Sequence, residues 1–189
     1  MKNLIIVLIL ATSLPLAPQE TRPAVVHSTG DPAEDTRPYA EDTRPNSDQV
    51  PDVVAFNGSF QRIVVLRFKY NTDLLAGLKK MVKQEKICNA VILSAFGSVR
   101  NYQIHQVGNR ELPPKDVFEQ NPTAPADIAG MSGFVIDGRV HPHITLANAD
   151  KALGGHLEPD TTVFTFAVVT LGVLDDGLDL TRIDDWTYH

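Results

Sequence analysis

The sequence predicts an α+β fold: a largely antiparallel β-sheet with flanking helices. Three observations predict it. Runs rich in Val, Ile, Thr and Phe recur from residue 60 to residue 173. A single stretch, Leu74 to Val82, shows the 3.6-residue apolar spacing of a helix. The connections are mostly short and turn-rich, which suits neighbouring antiparallel strands. Composition sets the outer limits. The chain has 189 residues, 43% of them apolar, with 12 Gly, 13 Pro and one cysteine, Cys88. This excludes collagen-like, wholly disordered and disulfide-stapled chains. The formal net charge is −6 and the pI about 5.4, a poor match to a phosphate backbone.

The elements follow in chain order. Residues 1–17 read as an export signal: Lys2 supplies a positive charge, Leu4 to Leu10 is unbroken apolar sequence, and small residues follow. The apolar run is shorter than the ~20 residues a membrane span needs. Localisation is therefore expected to be periplasmic or extracellular, with no stable membrane span after cleavage. Residues 18–54 read as a disordered linker built on a repeat. Glu20-Thr21-Arg22-Pro23 is echoed at Glu34-Asp35-Thr36-Arg37-Pro38 and again at Glu41-Asp42-Thr43-Arg44-Pro45. So few apolar residues cannot offset the entropy of ordering the segment.

Residues 55–189 are expected to form one folded domain. Phe60 to Tyr70 reads as a strand. Asn71 or Thr72 is placed to cap the helix after it, with Lys79, Lys80, Lys83 and Lys86 on the solvated side. Ala90 to Phe96 reads as a buried strand that Gly97-Ser98 ends or bends, and Val99 to Val107 as another. Gly108 to Pro125, with four prolines, reads as a long loop. Asp137-Gly138 between Ile128–Ile136 and Val140–Ala147 is a hairpin signal. Gly154-Gly155 marks a sharp turn or a close backbone approach, and Thr161 to Val173 a core strand. Residues 175–189 carry five aspartates and one arginine.

Chemistry concentrates in His141-Pro142-His143 and Gly154-Gly155-His156. On a strand, residues i and i+2 share a face, so His141 and His143 project together. His156 lies thirteen residues after His143, enough for the chain to reverse and return beside it. Three imidazoles on one point suit zinc and leave a fourth position open. His27, His105 and His189 are assigned to linker, strand and terminus. A general acid or base beside such a metal would have to come from Asp127, Glu158 or His105.

These segments resemble the PPC (plant and prokaryote conserved) domain family, also called DUF296. The resemblance runs from about Phe60 to Leu174. It is carried by Val65-Leu66-Arg67-Phe68, by Ile87 through Ser98, by Asp127, and above all by Asp137-Gly138-Arg139-Val140-His141-Pro142-His143-Ile144-Thr145-Leu146 with Leu153-Gly154-Gly155-His156-Leu157. It implies an antiparallel α+β fold similar to that of alpha-acetolactate decarboxylase. It also implies a homotrimer and one zinc per chain on His141, His143 and His156. Some relatives carry Glu near the position of Ala167. Plant relatives bind DNA through AT-hooks, and this chain contains no Arg-Gly-Arg hook. The primary expectation is an exported, trimeric, zinc-binding module that can hold a small-molecule ligand at the metal. The alternatives are a zinc-dependent hydrolase or lyase, and a DNA-binding protein.

Overall fold

The computed structural model describes residues 25–26 and 47–184. The export-signal reading and most of the 18–54 linker lie outside these residues. Eight strands form one antiparallel sheet: β1 Val25–Val26, β2 Phe60–Lys69, β3 Ala90–Val107, β4 Asp116–Asn121, β5 Ala126–Ile136, β6 Arg139–Ala147, β7 Ala152–Leu157 and β8 Thr162–Leu174. One helix, α1 (Leu74–Gln84), and a 3-10 turn at Thr181–Asp184 complete the described elements. The mainly antiparallel α+β fold predicted from sequence is therefore present, with one α-helix among the described residues.

The α1 helix forms as its periodicity dictates. Leu74, Leu75, Leu78 and Val82 are buried on one face. They meet the inward side of β2, where Phe68 packs beside Gly77, and the helix also contacts β6. The cap is Asp73 rather than Asn71 or Thr72. Its carboxylate accepts from the Ala76 backbone N–H at 2.7 Å, satisfying one of the donors a helix start leaves open. Asn71 instead takes a left-handed φ of 64°, which turns the chain out of β2.

Strand β3 organises the sheet. It runs 18 residues without a break, so Gly97-Ser98 does not end it. Such a strand spans roughly 60 Å at about 3.3 Å per residue and cannot stay flat across one domain. It bends at Gly97, whose φ is 135°, with register shifts on either side in its pairing to β8. A side chain at Gly97 would press into the Phe166 carbonyl, so glycine is required there. Strand β3 pairs with β5 as far as Val99 and with β8 as far as Asn101, then with β4 from Tyr102 and with β7 at Ile104 and His105. The path β3–β5–β6–β7 then returns to β3, so four strands close on themselves.

Alternation decides which face of each strand is core. Leu66 and Phe68 of β2, Ala90, Ile92, Tyr102 and Ile104 of β3, Ile144 and Leu146 of β6, Leu157 of β7 and Ala167, Val169 and Leu171 of β8 join α1 in one buried cluster. A smaller cluster of Ile136, Leu174 and Leu180, with Phe56 and Leu178 against it, closes the end where the chain leaves β8. Two other expectations change. The segment predicted as a loop from Gly108 to Pro125 contains β4, which pairs with β3 from Tyr102↔Asn121 to Val107↔Asp116. Four prolines obscured this six-residue strand because they lie on either side of it. Gly154-Gly155 lies inside β7 and makes no turn; the reversal from β6 occurs at Asn148–Lys151, where the Asn148 side chain accepts from the Asp150 and Lys151 N–H groups.

Candidate metal centre

Cross-strand register brings the histidines together. His143 on β6 pairs directly with His156 on β7, and His156 pairs on its other side with His105 on β3. Directly paired residues share a sheet face, so the three imidazoles form a row across three strands. His141 joins them from two residues upstream on the outward side of β6, where Ile144 and Leu146 occupy the inward side. The next strand beyond His105 contributes Phe118, whose ring centroid is 5.3 Å from that of His105.

Gly155 makes the row possible. A Cβ at this position would come within 2.3 Å of the His105 carbonyl oxygen. Only glycine lets β7 approach β3 this closely, which realises the close-approach reading of the Gly-Gly pair rather than the turn.

The three histidines singled out in the sequence lie near one another on this face. His141 Nε2 and His143 Nε2 stand 3.3 Å apart. The His156 ring lies edge-on to both, with centroids 4.9 Å from His141 and 5.6 Å from His143. Two nitrogens facing at 3.3 Å need a proton or a cation between them, because two lone pairs repel. Tetrahedral ligands at the usual Zn–N distance of 2.0–2.1 Å are themselves about 3.3–3.4 Å apart. The spacing of the His141 and His143 nitrogens fits two ligands of one divalent cation, whereas the three groups among the described residues whose ligand atoms all lie within 4.8 Å of one another are His105, His156 and Glu158. Partial burial first, then the nearby imidazoles of His156, His141 and His105, lower the pKa of His143, which keeps its lone pair available near neutral pH.

Sequence reasoning placed His105 outside the triad, as a strand residue, and the structure brings it in. Its ring stacks on His156, with centroids 4.7 Å apart and planes 19° apart. Its Nδ1 is 2.5 Å from Glu158 Oε1, and its Nε2 is 3.9 Å from Asp116 Oδ1. Glu158 follows His156 by two residues, so it shares the outward face, and its N–H bonds to the Gln103 carbonyl across the ladder. The carboxylate also lies 3.4 Å from His156 Nδ1. Burial pushes the Glu158 pKa up, but the hydrogen bond with His105 and the neighbouring His156 ring outweigh it and hold the carboxyl at about 2. His105, His156 and Glu158 are themselves close enough to offer three ligand atoms to one ion. Of the three acid–base candidates, the structure therefore brings two to the site. Asp127 is exposed on β5, five residues from Ser132, the partner of His143, or roughly 16 Å along the strand. Ala167, the position near which the resemblance implies a Glu in some relatives, is fully buried in the core.

Comparison with known proteins agrees with this architecture. Three solved structures share the fold. A metal-containing protein from Archaeoglobus fulgidus is 25% identical over 64% of this chain and 86% of its own, with a TM-score of 0.51. A plant- and prokaryote-conserved protein from Pyrococcus horikoshii is 25% identical over 65% of this chain and 85% of its own, with a TM-score of 0.52. A protein from Salmonella is 22% identical over 64% and 83%, with a TM-score of 0.55, a likeness of fold alone. No curated protein matches. The profile of the Plants and Prokaryotes Conserved (PCC) domain matches residues 55–175, from just before β2 to the end of β8 and across every residue of the histidine site, and this chain belongs to that family.

Proposed function

We propose that this protein is an exported, homotrimeric PCC module that holds one divalent cation, zinc, on His141, His143 and His156. The 3.3 Å approach of His141 Nε2 and His143 Nε2, with His156 edge-on beside them, carries the reading. The Archaeoglobus relative described as metal-containing supports it. Three protein ligands leave an open position on the outer face, where a cation would polarise a bound carbonyl or acidify a bound water. His105 and Glu158 stand beside that position, which supports zinc-dependent hydrolysis or lyase chemistry on a small ligand as a second reading. Binding to DNA finds less support: residues 51–174 carry twelve basic and eleven acidic side chains, too even a balance for a phosphate-binding surface.

Trimer formation is supported by a second outward face. On the side of β2, β8 and β3 away from the core, Val65 is 63% and Phe96 53% exposed, and Phe60, Ile63 and Phe164 are exposed with them. Clustered exposed apolar side chains of this kind are a common mark of a protein–protein contact face.

Elemental analysis tests the metal reading. Protein purified without chelator should carry one zinc per chain, and His143→Ala should lose most of it, because two imidazoles hold a cation weakly. The fold should survive, since His143 projects away from the core. Equal metal in the two proteins, or none in the wild type, overturns the proposal and the zinc-enzyme reading together.

A further inference from the structure

A three-histidine cation site does not account for Glu158 and His105. Glu158 Oε1 faces two ring nitrogens, Nδ1 of His105 at 2.5 Å and Nδ1 of His156 at 3.4 Å. An ionised carboxylate only accepts hydrogen bonds, so it selects the form of each ring that carries its proton on Nδ1. A neutral imidazole protonated there presents Nε2 as a lone pair. His156 Nδ1 is buried, and among the described residues no well-formed hydrogen bond satisfies it. The 3.4 Å separation is long for N–H···O, so the carboxylate sits nearer His105 while His156 is left short of a partner.

We propose that Glu158 is a positioning residue that fixes His156 as an Nε2 ligand, and that His105 is the brace that holds Glu158 in place. This rests on the triad being the cation site. A cation on Nε2 withdraws electron density from the ring and makes Nδ1–H a stronger donor. A small tilt of the Glu158 side chain then closes the long contact, so loading the metal also satisfies the buried nitrogen. The ladder pairing of His105 with His156 and the stacking of their rings, 19° from parallel, turn both Nδ1 atoms toward the one carboxylate. Glu158 is bound into the strand beside them by its own N–H to the Gln103 carbonyl, so its reach is set by backbone. Partners of this kind fix the tautomer and raise the basicity of a metal-bound histidine, and their loss costs about 10–100-fold in metal affinity.

Glu158→Gln keeps the shape of the side chain and removes its charge. Zinc affinity, measured by competition with a chelator, should fall about 10–100-fold in this variant. His105→Ala should weaken zinc binding by a smaller factor, because Glu158 remains but is less well held. The absorption spectrum of the cobalt-substituted protein should be unchanged in Glu158→Gln, since the ligands stay the same. In the zinc-loaded wild type, ring nitrogen shifts should show His156 protonated on Nδ1 and ligated through Nε2, a readout that needs no mutation. Wild-type zinc affinity in Glu158→Gln, a cobalt spectrum that reports a lost carboxylate ligand, or two zinc ions per chain would each overturn this inference. Zinc-free wild-type protein would remove the triad reading beneath it; zinc-loaded wild type with an unchanged variant would remove this inference alone.

Discussion

The outward faces of two parts of one sheet differ in kind. Around β6, β7 and the second half of β3, outward positions are His141, His143, His156, Glu158 and His105. Around β2, β8 and the first half of β3, they include Val65, Phe96 and Phe166, with Arg67 over the Phe166 ring and Phe96 edge-on to it at 6.1 Å. The inward residues of both parts are alike: mostly Leu, Ile, Val and Ala, with Phe68 on one side and Tyr102 on the other. Period-2 alternation therefore builds one core from both regions and leaves each outer face free to specialise, one for an ion and the other for apolar contact. The bend at Gly97 separates the two along β3, since Phe96 lies before it and His105 after it.

The division can be broken from the apolar side. Phe96→Asp places a charge in that face without touching the histidine row. Light scattering should give a trimer for the wild type and a monomer for the variant, with zinc content unchanged. A wild-type monomer at micromolar concentration would refute the assembly. Loss of zinc together with the trimer would show that the two faces are not independent.

A smaller effect is expected where backbone spacing supports the metal face. Gly155→Ala puts a methyl group against the His105 carbonyl and should cost about 1–3 kcal/mol of stability, the range for overpacking, while weakening zinc binding. Gly138→Ala is its control for a methyl group added in open space: nothing lies within 4 Å of its Cβ position, though its φ of 75° adds a local strain. Denaturant midpoints and zinc titrations of both variants measure the difference.

Acid should sharpen the contrast by the smallest margin. Metal-free protein loses stability as pH falls below 6.5, the ordinary histidine value, because unfolded His143 takes up a proton that the folded site resists. A second loss begins below the ordinary glutamate value of 4.5 and continues toward about 2, as the folded-state advantage of ionised Glu158 disappears. Urea midpoints against pH follow both steps, and Glu158→Gln should remove only the lower one.

How much of this was legible beforehand depends on the range of the interaction. The strands that carry unbroken β-branched runs, the α1 helix and the Asp137-Gly138 hairpin follow from local chemistry, and the sequence predicts each of them. His141 and His143 share a face by alternation alone. Strand β4 was hidden because Pro113, Pro114, Pro122 and Pro125 flank a short segment whose partner lies on β3. His105 and Glu158 are 53 residues apart in sequence, and nothing local distinguishes His105 from any other strand histidine. A signal existed in principle: Glu158 stands at i+2 from His156 and so shares its face. What places His105 opposite His156 is the register of β3 on β7, which depends on the bend at Gly97 and the tight approach at Gly155. Sequence determined which residues face outward on each strand, because that is fixed every two residues by the pleat. Only the tertiary structure decided which strands lie side by side, because closing the β3–β5–β6–β7 ring is a property of the packed core and not of any one segment.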